Sequence, residues 1–256
     1  MASTPLKTLL PLLALLSPML AVPARGLAQV SVTAMVESDY RFRGVSLTDG
    51  KPDLKLAIAY DHASGAYAGA SVVIGKNDGD RRVEALGYAG YLGFAKRSGV
   101  GLTWDLGATT SRLVDSVPST VIVRPATGPA YTISSIRHYI AAYNEVYAGV
   151  SKGAVSVYAH LSPDYIGVNR GTAYFDLNWT TRPRDHLRLF WHAGLLTPLG
   201  VSGDRSLRYD LRTGVAVEFS RGEVQLAWTK VGPRMDYPFG RRQSPEALVV
   251  SAAGFF

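Results

Sequence analysis

His160 and Ser162 stand two apart in Val155-Ser156-Val157-Tyr158-Ala159-His160-Leu161-Ser162, a spacing that on an extended strand sends both side chains to one side. A hydroxyl beside an imidazole is the minimum for a nucleophile and its base, and some outer-membrane lipid hydrolases carry such a pair on one strand. Glu145 is the nearby carboxylate that would orient the base. Two features oppose a hydrolase. The strand's parity puts the pair on its polar side with Tyr158, away from lipid, and Pro163 breaks the strand beside it. Other candidates are weaker. Lys76-Asn77-Asp78-Gly79-Asp80 has the acids of a calcium loop but not the distal Glu, and reads as a turn. Gly87-x-x-Gly90-x-x-Gly93 lies inside a strand and precedes no helix, so it is no phosphate loop. With no cysteine in the chain, thiolate metal sites, disulfides and cysteine nucleophiles are excluded. The expectation is no catalytic residue, no metal and no cofactor.

The elements that would hold such residues are strands, and the most regular stretch is Leu207 to Lys230. Leu207, Tyr209, Leu211, Val215, Val217 and Phe219 alternate with Arg208, Asp210, Arg212, Ala216 and Glu218. After Arg221-Gly222 the alternation resumes with Val224, Leu226 and Trp228. A period of two with a tight turn predicts a β-hairpin, and strands of about ten residues suffice to cross a bilayer at a tilt. One face is apolar and the other charged, so either a soluble core lies on the apolar side or lipid does.

The rest of the chain favours lipid. Hydrophobic residues make up 47%, yet the mean hydropathy is only +0.06, so apolar residues are spread along strands instead of gathered into helical spans. Met1 to Ala28 reads as a secretory signal, with Lys7, then LLPLLALLSPMLAV, then a small-residue exit at Ala28 or Ala24, and its removal would leave a charge of +5. Residues 29–256 then form the one expected domain. Strand candidates follow at 30–44, 54–62, 66–74, 83–96, 100–112, 137–151, 154–161, 172–181, 187–196, the hairpin pair, and 246–256: twelve in all, an even number. Short turns at 63–65, 97–99, 152–153, 182–185 and 221–222 alternate with long connections at 45–53, 75–82, 113–136, 162–171, 197–206 and 231–245. Such alternation predicts an all-β, transmembrane, antiparallel up-and-down barrel, with short periplasmic turns, longer outer loops and both termini periplasmic. The final strand ends in Phe256, the pattern by which barrel assembly machinery takes up its substrates. The high Tyr count fits interface girdles, with stacking on a sugar as the alternative.

Inside a water-filled barrel the polar parity would line the lumen: Glu37, Asp39, Arg41, Arg43, Lys55, Asp105, Arg188, Arg208, Asp210, Arg212 and Glu218. Arg41, Arg43 and Arg208 would lie toward the outer rim, near Arg170, Arg205, Arg234, Arg241 and Arg242 in the loops. These arginines suit either a mild anion funnel or contact with anionic lipid and lipopolysaccharide. Lys and Arg are interleaved with acids throughout, which argues against nucleic acid despite a pI of 9.6. The long stretch Leu113 to Ile136, with Val121-Ile122-Val123-Arg124-Pro125, would either fold into the lumen as a constriction carrying Arg124 or extend outward as a hairpin.

The stretch Ser38-Asp39-Tyr40-Arg41-Phe42-Arg43-Gly44-Val45-Ser46 resembles the Gcw_chp family, the TorF-type outer-membrane porins, whose members begin after a signal peptide with a similar Tyr-x-x-Arg-Gly-x-Ser stretch. Tyr60-Asp61, Gly65-Ala66-Tyr67-Ala68-Gly69 and Ser162-Pro163-Asp164-Tyr165-Ile166-Gly167 match as well. The resemblance implies a Gram-negative outer-membrane barrel and hands over no catalytic residues. The expected function is a porin for passive diffusion of small polar or charged solutes. A plugged structural or surface-binding barrel is the alternative, and a lipid hydrolase using His160 and Ser162 is a third.

Overall fold

The computed structural model describes residues 29–76, 83–125, 127–165, 170–199, 207–233 and 244–256. The signal expected over Met1–Ala28, the acidic turn 77–80, and Arg205, Arg234, Arg241 and Arg242 lie outside the described residues. Twelve strands form the wall: β1 (Gln29–Glu37), β4 (Asp53–Asp61), β5 (Ala66–Lys76), β6 (Val83–Arg97), β7 (Thr103–Val123), β8 (Tyr131–Lys152), β9 (Val155–Ser162), β10 (Thr172–Arg184), β11 (Leu187–Pro198), β12 (Arg208–Phe219), β13 (Gly222–Gly232) and β14 (Glu246–Phe255). Two short strands, β2 (Arg41–Phe42) and β3 (Val45–Ser46), make a separate ribbon. Each wall strand pairs antiparallel with its neighbour in sequence, and β14 returns to β1, with Val36 opposite Ala252. Closure leaves no unpaired edge, which the absence of water in a bilayer demands.

The alternation faces the way a membrane requires. Val30, Val32, Leu56, Ile58, Leu92, Leu106, Val157, Leu177, Val224 and Leu226 are exposed on the outer wall, whereas Lys55, Asp105, Glu145, His160, Asp176, Arg188 and Glu223 are buried inside. A soluble domain would not expose so continuous an apolar surface while enclosing its charges. Near the short turns the outer belt carries Phe94, Trp104, Trp179 and Phe219. The high Tyr count is not explained by that belt alone, because a group of tyrosines is inside. Tyr67, Tyr143, Tyr147, Tyr158 and Tyr174 are buried in the lumen. Their rings need gaps in the wall opposite. A side chain at Gly93 would collide with Tyr67, at Gly107 with Tyr147, and at Gly149 with Tyr158, so these glycines are the sockets into which the rings lie.

Two connections depart from expectation. In β6 the faces are blurred by a bulge: the β5–β6 register shifts between Val73 and Ile74, the extra residue falls near Leu86, and both Leu86 and Ala89 end up inside. The stretch 113–136 is no loop in the lumen. Strands β7 and β8 pair with each other without a break from Thr103↔Ser151 to Val123↔Tyr131. Their barrel neighbours stop earlier, at Gly87↔Leu113 and Val146↔Leu161, so the distal part is a two-stranded ribbon rising past the rim. Arg124, placed at its tip just after β7, is exposed and constricts nothing. Val121-Ile122-Val123 favours extended backbone, and Pro118 is tolerated because the ribbon's strands have free edges.

Candidate functional site

The third departure makes the site. Residues 30–44 do not run on as one strand. The chain leaves the wall after Glu37, bends at Ser38, and folds into the lumen as the β2–β3 hairpin. Asp39, expected to line a pore, is the staple of this hairpin. Its carboxylate accepts hydrogen bonds from Arg41 Nε (2.6 Å), Thr48 Oγ1 (3.2 Å), the Gly50 amide (3.2 Å) and Ser46 Oγ. Thr48 Oγ1 in turn accepts from the Tyr40 amide at 3.0 Å, and the Leu47 amide donates to the Tyr40 carbonyl at 2.7 Å. These bonds close within residues 39–50, so the hairpin holds its own shape independently of the wall.

Its turn aims Arg43. Both turn residues have left-handed backbone, Arg43 at φ 46° and Gly44 at φ 77°, the requirement of a two-residue type I′ turn. Gly44 is needed twice over, since a Cβ there would also press on Asp210 and Val231 at 2.9 Å. For Arg43 the conformation costs about 1–2 kcal/mol, which its side chain must recover. It does so across the lumen. Nη1 and Nη2 donate to Glu145 Oε1 and Oε2 on β8 at 2.9 and 2.8 Å, a two-pronged charge-assisted pair. The guanidinium also lies 3.9 Å from the Tyr174 ring centroid and 5.5 Å from that of Tyr165. Phe42 stacks on Tyr143 at 5.4 Å, and Arg41 reaches the Ser244 carbonyl. Strand β8 lies on the far side of the barrel from β1. The hairpin therefore spans the lumen and is latched to the opposite wall.

Around the latch the wall is acidic, aromatic and hydroxyl-rich. His160 Nε2 shares a 3.0 Å hydrogen bond with Asp176 Oδ2, while its Nδ1 lies 3.8 Å from Glu145. The oxygens of Asp210 accept from Tyr174 Oη (3.2 Å) and bond His192 Nε2 (2.9 Å). Ser162 and Thr172 face each other across β9 and β10, both buried, and neither hydroxyl has a hydrogen-bond partner among the described residues. The proposed nucleophile and base thus share a face but make no bond to each other: His160 is engaged by Asp176, a partner the sequence did not suggest. Glu145 is taken by Arg43.

A second layer of charged and aromatic side chains lines the lumen near the short turns. Arg188, fully buried, donates to Glu218 (2.8 Å) and Glu223 (2.5 Å), and Glu218 also holds Arg182 at 3.0 Å. At the same end, on the other side of the barrel, Tyr67 Oη donates to Asp105 at 2.5 Å and shares a 2.6 Å bond with Tyr147, while Tyr158 donates to Asp105 at 3.0 Å. Of the expected lining, Lys55, Asp105, Arg188, Asp210 and Glu218 are on the lumen side of wall strands, with Glu37 where β1 ends. Arg212 lies over Phe190 at 5.7 Å and interacts electrostatically with Glu37. Arg208 is at the long-loop rim, whereas Asp39, Arg41 and Arg43 belong to the hairpin and not to the wall. Arg170 precedes β10, its carbonyl bonded by the Tyr165 amide.

A closed antiparallel barrel with hydrocarbon-facing walls, a charged interior and one connection folded inward is a transmembrane barrel of porin-like fold. Residues 22–229 match the family described as "Bacterial protein of unknown function (Gcw_chp)", and the chain belongs to that family. Among solved structures the NanC porin is similar with a TM-score of 0.54 at 8% identity, over 89% of this chain and 100% of that one. The KdgM porin gives 0.48 at 10% identity (88% and 98%), and the translocator domain of the autotransporter NalP from Neisseria meningitidis gives 0.46 at 13% (91% and 90%). At such identities the likeness is one of fold. No curated protein matches the chain. The stretch Tyr40 to Ser46, on which the family resemblance rests, is the latch hairpin itself.

Proposed function

We propose that the protein is an outer-membrane channel for small polar or charged solutes, held shut by the 38–50 hairpin and opened when Arg43 leaves Glu145. One observation carries this reading: a lumen lined by buried charged and hydroxyl groups is crossed by a hairpin that is bonded internally and fixed to the far wall by side chains, the Arg43–Glu145 pair and the packing of Phe42 and Leu47, with no strand pairing to that wall among the described residues. Export through the first segment, insertion aided by Phe256, and a rim in contact with lipopolysaccharide complete the proposal, with the short turns periplasmic and the ribbon outside. No catalytic step is included, because His160 is bonded to Asp176 and not to Ser162.

Conductance of the refolded barrel in a planar bilayer tests the proposal. Glu145→Gln keeps the size of the side chain but removes the charge that pairs Arg43, so open steps should become about ten-fold more frequent, the effect of losing about 1.4 kcal/mol of latch energy. The buried Arg188 layer favours the second reading, a barrel plugged for good. Silence of both the parent and Glu145→Gln would establish that reading instead. Esterase activity abolished by His160→Ala would restore the hydrolase.

A further inference from the structure

Arg43 occupies its site as a ligand would. The wall supplies a carboxylate fork from Glu145, a flat ring from Tyr174 under the guanidinium plane, and a second ring from Tyr165. Ser162, on the strand beside Glu145, presents a buried hydroxyl with no partner among the described residues, and Thr172 opposite presents another. None of these groups belongs to the hairpin. They sit on β8 to β10 and in the segment that follows β9, so the site survives when the hairpin swings away.

Removal of Arg43 would leave this wall in deficit. Glu145, Asp176 and Asp210 would then share the imidazoles of His160 and His192, with His160 Nδ1 3.8 Å from Glu145, too far for a hydrogen bond. With the hairpin gone water reaches Glu145, and a cation that takes the place of Arg43 must outdo that water by engaging the carboxylate and the rings together. Geometry sets its kind. A planar fork that meets both carboxylate oxygens and stacks on an aromatic face is a guanidinium, and a compact ammonium satisfies only the charge.

We infer that the wall around Glu145 and Tyr174 is a binding site for guanidinium-bearing solutes, such as arginine or short basic peptides, and that Arg43 is its built-in surrogate ligand. A solute entering from the long-loop end competes with Arg43 for Glu145 and in doing so frees the hairpin. That the ligand is also the transported solute rests on the channel reading; the existence of the site does not.

The test uses the refolded full barrel, with ethylguanidinium as probe and ethylammonium at equal ionic strength as control. Arg43→Gly vacates the site and suits the left-handed turn. Titration calorimetry should show saturable binding of ethylguanidinium by Arg43→Gly, at least ten-fold tighter than by the parent and than ethylammonium. Adding Glu145→Gln should abolish it. Equal responses to the two cations, or binding that survives Glu145→Gln, would overturn the site. Should Arg43→Gly not fold, the unaltered barrel serves: arginine methyl ester added at the long-loop side should raise the frequency of open steps several-fold over lysine methyl ester, and equal effects of the two would overturn the inference. Binding without conductance in any variant would keep the site and remove the channel. Conductance without binding would do the reverse.

Discussion

The two ends of the lumen are narrowed by different means. Toward the long loops, a piece of chain leaves the wall and reaches across; toward the short turns, the wall's own side chains meet. Arg188, Glu218 and Glu223 are fixed by the β11–β12 and β12–β13 ladders, and Tyr67, Tyr147 and Tyr158 by their glycine sockets and Asp105. Every side chain of that layer is anchored on a strand paired on both sides. The hairpin is held together by Asp39 and held to the wall by Arg43, Phe42 and Leu47. On the channel reading, charge in the lower layer serves rigidity, and charge in the upper layer serves an attachment that is reversible.

If that contrast is right, substitutions should separate stability from opening. Arg188→Met leaves Glu223 as a buried charge without its cation and should cost about 3–5 kcal/mol in denaturant titrations of the detergent-refolded barrel, without raising conductance. A loss under about 1 kcal/mol would mean that the layer is slack. Gly93→Val fills the socket of Tyr67 and should cost about 1–3 kcal/mol, again without opening the lumen. Asp39→Ala removes the acceptor for four donors. Amide exchange in residues 40–50 should then speed up at least ten-fold while the strands keep their protection; equal change in both would show that the hairpin and wall unfold together. Smallest of all, replacing 116–134 by a short turn should shift stability by less than about 0.5 kcal/mol, because the ribbon above the rim packs on neither β6 nor β9.

Much of the wall was legible in the sequence because its signal is local. Alternation at Leu207–Phe219 or Leu54–Tyr60 needs no knowledge of the partner strand, and the lumen parity of Lys55, Asp105, Arg188 and Glu218 follows from it. Tyrosine as a residue type suits a membrane interface and a polar lumen equally, so the Tyr count alone could not say which; parity sets Tyr147 with Glu145 and Tyr158 with His160, and the facing glycines receive the rings. The segment 38–50 was misread for a related reason. Arg41 and Arg43 continue the parity of Glu37 and Asp39, so periodicity alone carries the strand through the bend. The opposing signals were present in Arg43-Gly44 and Asp49-Gly50, pairs suited to tight turns, with Ser46 and Thr48 as donors for Asp39.

Composition and period determined that this chain is a membrane barrel and which face of each strand meets lipid, since hydrocarbon and water sort side chains one residue at a time. Tertiary structure alone decided that Arg43 meets a carboxylate 102 residues away. That pairing exists because twelve strands close into a ring and set β8 opposite β1, a distance no local pattern encodes.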